Sequence, residues 1–502
     1  MNTFRLEFAE VHMNCRIKVL LLVFLLGCPP YAAATIEPLV RVVDLDVGQT
    51  REVALHDGTE ATVTLLELTE KRDSVRNAVR KAQVKVEVNG NTASLVSSTY
   101  HLPTAMGGVQ IDCPVTKGYI QNSSKTNAWG LVQDARLRLW PAESSWIRPG
   151  TFIYPVKQKW FASDTQMANV PCYVNACDIP AQKGIYYHYS LDFGGSEGMV
   201  DVVAATDGLV VSAGGHTLEG YEDAPVSPRY DVVYILDDRG WYYRYSHLQM
   251  IATPVIPGKR VKMGQRIGLI GKEGGSGGWS HLHFDIKCRQ PSGMWGTQNG
   301  YAFIWQAYQR QYSPEIIAVA RPHHLVYTSE AVQLDALKSW CRTGQIAKYE
   351  WTFCDGAKAT GNSVKRVYER AGQYSEIVKV IDSTGNFAYD FGVVYVIDRK
   401  HPERVPPAIH ANYYPTFGLR AGDEVTFKVR SFATQHGEEE WDFGDGSVAV
   451  RVQSDGNADQ HNPAGYAITR HRYDKAGDYI VTVRRSDEHG YEAIGHLHVR
   501  ID

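Results

Sequence analysis

The stretch Ser280-His281-Leu282-His283-Phe284-Asp285 sets two imidazoles two positions apart with an acid close behind. Upstream, His188 and Asp192 lie four apart ahead of Gly194-Gly195, and Tyr245-Ser246-His247 ends an alternating apolar run. A hydrolytic zinc centre takes three protein ligands from histidine and carboxylate, leaving a fourth position where water becomes acidic enough to attack near neutral pH. No H-E-x-x-H string occurs to set two ligands on one helix face, so such a centre must be assembled from strands. On a strand, residues i and i+2 project from the same face about 6.5 to 7 Å apart. His281 and His283 would therefore face one cavity, one binding metal and the other facing the water.

A second string of this kind, His496-Leu497-His498, sits near the C-terminus. It has no upstream His-x-x-x-Asp and no glycine hairpin before it, and is read as two side chains on one strand face. Asp285 is read as a strand residue that supports the site.

The elements that must position these groups are strands. Residues 36–150 alternate in runs such as "TVTLLEL" and "AQVKVEVNGN", with Asn89-Gly90 as a hairpin turn, and read as an N-terminal β domain. Residues 154–324 are rich in glycine and β-formers and hold the histidine cluster, with "YAFIWQAYQRQY" as a helix. Residues 326–398 and 407–502 return to strand patterning on either side of "DRKHPERVPPAIH". These two look like copies of one unit. Trp351-Thr-Phe-Cys-Asp-Gly356 aligns with Trp441-Asp-Phe-Gly-Asp-Gly446, and "YERAGQY" with "YDKAGDY". Both resemble polycystic-kidney-disease-type, Ig-like β-sandwiches, in which the two aromatics fill the core and Asp-Gly makes the turn. The first copy departs by carrying Cys354 where the second has Gly444. The predicted fold class is mainly β and multidomain.

The order His188-x-x-x-Asp192, Tyr245-Ser-His247-Leu, Gly258-x-x-Val-x-x-Gly264-Gln-x-Ile-Gly268 and His281-Leu-His283-Phe resembles the lysostaphin-type zinc metallopeptidases over about 130 residues. The resemblance implies an antiparallel-sheet peptidase domain with Zn2+ held by His188, Asp192 and His283. It implies His247 and His281 as the catalytic pair that does not bind metal, without saying which is the base. Two neutral imidazoles and one carboxylate would leave a formal +1 at the metal. Ser190 stands where the family usually has Gly, and residues 214–230 form a long loop. The implied activity is peptide-bond hydrolysis, in peptidoglycan cross-bridges or stem peptides, with a secreted protease on Gly-rich proteins second. A third reading is a non-catalytic cell-wall amidase activator, which the full set of five residues opposes. The N-terminal domain is a candidate propeptide.

Composition sets the surroundings. With 502 residues, 44% of them hydrophobic, the chain is expected to form three or four domains. Its 52 basic and 55 acidic side chains give a net charge of -3, which marks no nucleic-acid or anionic-surface partner. Residues 1–34 read as a targeting segment, with Arg16 and Lys18, an apolar run from Val19 to Leu26 and a small-residue site at Ala32-Ala33-Ala34. That run is far shorter than the roughly 20 residues of a permanent transmembrane anchor. Export to the periplasm, cell surface or medium is expected, with lipidation at Cys28 as the competing outcome. In an oxidising compartment Cys113, Cys172, Cys177, Cys288, Cys341 and Cys354 are expected to form disulfides, with Cys172 to Cys177 and Cys341 to Cys354 as natural pairs. The sequence sets no oligomeric state.

Overall fold

A computed structural model describes residues 36–98, 100–121, 123, 127–160, 171–173 and 185–502. The targeting segment, Cys28 and Cys177 lie outside them. The regular secondary structure of the described chain is nearly all strand, and among the described residues no helix is long and apolar enough to cross a membrane.

Two antiparallel sheets of four strands form the N-terminal unit around Leu45, Val63, Val84, Ile111 and Leu137. Strand Val79–Val88 turns back into Asn91–Ser97 through Asn89 and Gly90, both at positive φ as this two-residue turn requires. Arg136 and Arg138 are buried and paired in forks with Asp44 and Asp112. Arg138 also donates to the Asn299 carbonyl at 2.6 Å, tying this unit to the next.

The central unit is an eight-stranded sheet. Along its path run Leu191–Gly194, His281–Arg289, Tyr242–Ser246, Val233–Leu236, Gly208–Ala213 and His216–Thr217. A three-stranded sheet of Asp201–Val203, Arg266–Ile270 and Leu248–Ile251 and the helix Tyr301–Tyr312 complete it. Phe193, Tyr245, Leu282, Phe284 and Phe303 bury the faces pointing away from the site.

In the C-terminal half, Trp351 with Phe353 and Trp441 with Phe443 are buried as near-parallel pairs. Gly356 and Gly446 make matching positive-φ turns. A Cβ at Gly444 would lie 2.4 Å from the Ile480 carbonyl oxygen, whereas the first copy accommodates Cys354, its N–H bonded to Glu376. The two sandwiches share a nine-stranded sheet, because strand Gly372–Asp382 pairs in parallel with Glu492–Ile501.

The cysteine expectation needs correction. Cys113, Cys288, Cys341 and Cys354 are all free thiols. Cys341 lies in a strand paired with Ile316–Ile317, while Cys354 follows strand Ile346–Thr352 and donates to the Ser375 carbonyl, so the proposed partners occupy different parts of the sandwich. The Cys172 to Cys177 pair falls outside the described side chains.

His496 and His498 share the face of Glu492–Ile501 that meets the first sandwich, near Phe391 and Tyr389. His498 Nε2 lies 2.7 Å from Asp478. Burial pushes the His496 imidazole down to about 4, against the 6.5 of a free group. Between those values the unfolded chain binds a proton that the fold excludes, so stability rises with pH across that window and is lost as pH falls. The unfolding midpoint of the C-terminal sandwich should drop from neutral pH towards pH about 4.5, His496 contributing at most about 1.4 kcal/mol per pH unit. Calorimetry of the full chain across pH should show a flatter slope for His496→Gln.

Candidate functional site

The antiparallel pairing of Leu191–Gly194 with His281–Arg289 sets Asp192 opposite His283 and Gly194 opposite His281. On the other side of the same strand, Ser246 is opposite His283, so His247 enters the pocket at the strand's end. His247 sits at φ 66, a left-handed conformation that a non-glycine residue adopts only where its surroundings hold it there. What holds it is Asp231, whose carboxylate accepts the His247 backbone N–H at 3.0 Å. Gly271 matters as much. A Cβ there would lie 2.3 Å from the Gln249 nitrogen and 2.7 Å from the His247 carbonyl oxygen, so only glycine allows these segments to close.

His188, Asp192, His247, His281 and His283 are all buried and converge on one pocket. His188 Nε2 lies 3.1 Å from His283 Nδ1 and 3.2 Å from Asp192 Oδ2, and Asp192 Oδ1 lies 3.1 Å from His283 Nδ1. A tetrahedral ion with bonds of about 2.0–2.1 Å has ligand atoms about 3.3 Å apart, so these three groups fit zinc. His283 Nε2 is 2.8 Å from the Ser190 hydroxyl; a proton on Nε2 leaves the Nδ1 lone pair for the metal. Ser190, the departure from the family pattern, thus orients the His283 ring.

His247 and His281 are held differently. His247 Nδ1 lies 2.6 Å from the Glu273 carbonyl and 3.5 Å from Asp231, while His281 Nδ1 lies 3.0 Å from the Trp279 carbonyl. With Nδ1–H donating in each, both Nε2 atoms are left as bases. The two rings are 4.7 Å apart. His247, His281 and His283 also come close enough to form a metal-capable group, but one without a carboxylate. The set with Asp192 has the charge and spacing that zinc uses.

Burial alone would raise the Asp192 carboxyl. The close imidazoles of His188, His281 and His283 outweigh it and hold the group well below the usual carboxylate range. Burial pushes His281 down to about 3 and His283 well below its ordinary value. At Asp231 burial is likewise outweighed, here by His247 and Arg229, and the group stays ionised.

The structure brings together all five residues singled out in the sequence. Asp285 sits behind the site, 3.2 Å from the Thr297 hydroxyl. Sequence reasoning missed Asp231, Glu273 and Trp279. Asp231 lies in a loop with no motif, Glu273 acts through its backbone carbonyl, which leaves no residue signature, and Trp279 acts through its carbonyl and through its ring against His281.

Residues 186–293 match peptidase family M23. The chain carries an M23 peptidase domain. Two PKD domains follow, over residues 313–390 and 410–494. Among solved structures, Helicobacter pylori Csd3 in an orthorhombic crystal is 17% identical, over 49% of this chain and 81% of that one, with a TM-score of 0.21. The fibronectin(III)-like modules of Clostridium thermocellum CbhA are 12% identical over 37% of this chain and 94% of theirs, with a TM-score of 0.15. A nucleoside hydrolase-related hypothetical protein from Saccharophagus degradans is 19% identical over 18% of this chain, with a TM-score of 0.15, and the chain spans only 28% of its length.

Removing the Ser190 hydroxyl should release the His283 ring without removing a ligand. Ser190→Ala is expected to weaken Zn2+ binding about 10- to 100-fold, measured by competition with a chromogenic chelator.

Proposed function

We propose that the chain is an exported zinc metalloendopeptidase that hydrolyses peptide bonds in peptidoglycan cross-bridges or stem peptides. The observation that carries this reading is the set of three donor groups, His188, Asp192 and His283, at tetrahedral spacing beside two imidazoles whose Nε2 atoms are left as bases. Zinc held there would polarise the scissile carbonyl and acidify a water.

The residues then divide the proton work. His247 Nε2 is the better acceptor, because the imidazolium it becomes is stabilised through Nδ1–H by the Glu273 carbonyl and the Asp231 carboxylate. This is the logic by which a buried aspartate supports a catalytic histidine in serine hydrolases. His281 has no such carboxylate behind its Nδ1, only the Trp279 carbonyl. Its Nε2, an acceptor without that support, is suited to orienting the attacking water by accepting a hydrogen bond from it.

His283→Ala should lose both bound zinc and hydrolysis of purified peptidoglycan, whereas His281→Ala should keep its zinc and lose turnover, as read by elemental analysis and release of soluble muropeptides. Equal zinc content in both variants and the wild type would remove the assignment. Chelation should abolish cleavage and Zn2+ should restore it. Cleavage of a Gly-rich protein but not of peptidoglycan would point to the secreted-protease reading, and zinc binding without cleavage of either to a binding role. Asp231→Asn, which keeps the shape but removes the charge behind His247, should lower kcat at least 10-fold at unchanged zinc content.

A further inference from the structure

The segment leading into His281 is held from outside the peptidase domain. Tyr466 of the second PKD domain accepts the Ser280 N–H at 2.8 Å, immediately before His281, and its hydroxyl lies 2.6 Å from His410 Nδ1. With the N–H donating into the phenol, the phenol proton goes to His410 Nδ1. The His410 ring stands against Trp279 at 5.3 Å and 66°, and Trp279 lies flat on His281, 3.6 Å away at 14°.

The backbone is clamped as well. Arg430, buried and forked onto Asp455, donates to the Gly278 carbonyl at 2.6 Å, and Asn457 donates to the Gly277 carbonyl at 3.1 Å. Gly278 is at φ 88, and a Cβ there would lie 2.0 Å from Asn457 Oδ1. The contact is fitted to the backbone of residues 277–280. Nearby, Lys428 donates to the Glu197 carbonyl and Ser196 to Asn412. Trp279 itself is half-buried.

We propose that the second PKD domain is a working part of the peptidase, with Tyr466 as a positioning residue that sets His281 through Ser280 and the His410–Trp279 stack. This rests on the peptidase reading above. Losing the phenol hydroxyl leaves the Ser280 N–H and His410 Nδ1 without their shared partner and frees the His281 ring to shift, which harms the chemical step more than substrate binding.

The test uses the full chain as Tyr466→Phe, with Tyr473→Phe, a buried tyrosine of the same domain bonded to the Phe443 carbonyl, as control. The expected result for Tyr466→Phe is a kcat lower by about 10- to 100-fold, with KM within about twofold and zinc content unchanged, and wild-type kinetics for Tyr473→Phe. Amide hydrogen exchange, which needs no substrate, should rise in peptides covering residues 272–281 and stay constant in those covering 188–194. Unchanged exchange in 272–281, or a kcat within twofold of wild type, would overturn the proposal. If the wild type cleaves no peptide substrate, the peptidase reading fails, and the exchange result alone decides whether the PKD domain holds this segment.

Discussion

The register between Leu191–Gly194 and His281–Arg289 is the constraint on which the site depends. It sets Asp192 directly across from His283, so a carboxylate and an imidazole from positions 91 residues apart meet without either leaving its strand. A slip of one residue would put Asp192 across from Leu282 or Phe284 and turn the histidines towards the core. The core prevents that slip. Phe193, Leu282 and Phe284 are buried among aromatics on the opposite face, so the packing that stabilises the sheet also aims Asp192 and His283.

His247 cannot be supplied by register alone. A regular strand would carry its side chain past the pocket, and the left-handed turn at His247 redirects it. That conformation costs on the order of 1 kcal/mol or more and is held by Asp231 and by the close approach that Gly271 permits. Asp231 therefore does two things at once: it fixes the backbone through the His247 N–H, and it places negative charge behind the ring.

The strand character of the setting was legible from a period of two, which also puts His281 and His283 on one face, whereas the set of five candidate residues was legible only through the resemblance that the glycine-spaced segments between them carry. The paired aromatics at Trp351 and Trp441 were legible because they repeat with the turn glycines that follow them. What was not legible acts through the backbone or across domains. Glu273 contributes a carbonyl, which any residue has, and so in part does Trp279. Tyr466 reaches Ser280 across 186 positions, and nothing in either segment signals the other. The cysteine pairing failed because an even count in an exported chain is a statement about compartment, whereas a disulfide needs two Cβ atoms within bonding distance, and the fold sets Cys341 beside Ile316 and Cys354 in a turn against Ser375.

Charge explains why so many donors tolerate one small buried space. An ionised carboxylate buried in a small space is a charge taken out of water, a costly arrangement unless a cation balances it. Protonating the imidazoles would supply that cation, but burial opposes it at His281 and His283, both pushed well down. Hydrogen bonds through Ser190 and the Glu273 and Trp279 carbonyls further tie one nitrogen of His283, His247 and His281 each, leaving the other with its lone pair for the pocket. A pocket that keeps Asp192 ionised while burial opposes protonation of His281 and His283 is short of positive charge at its centre. A divalent cation there would meet that need and the tetrahedral spacing at the same time.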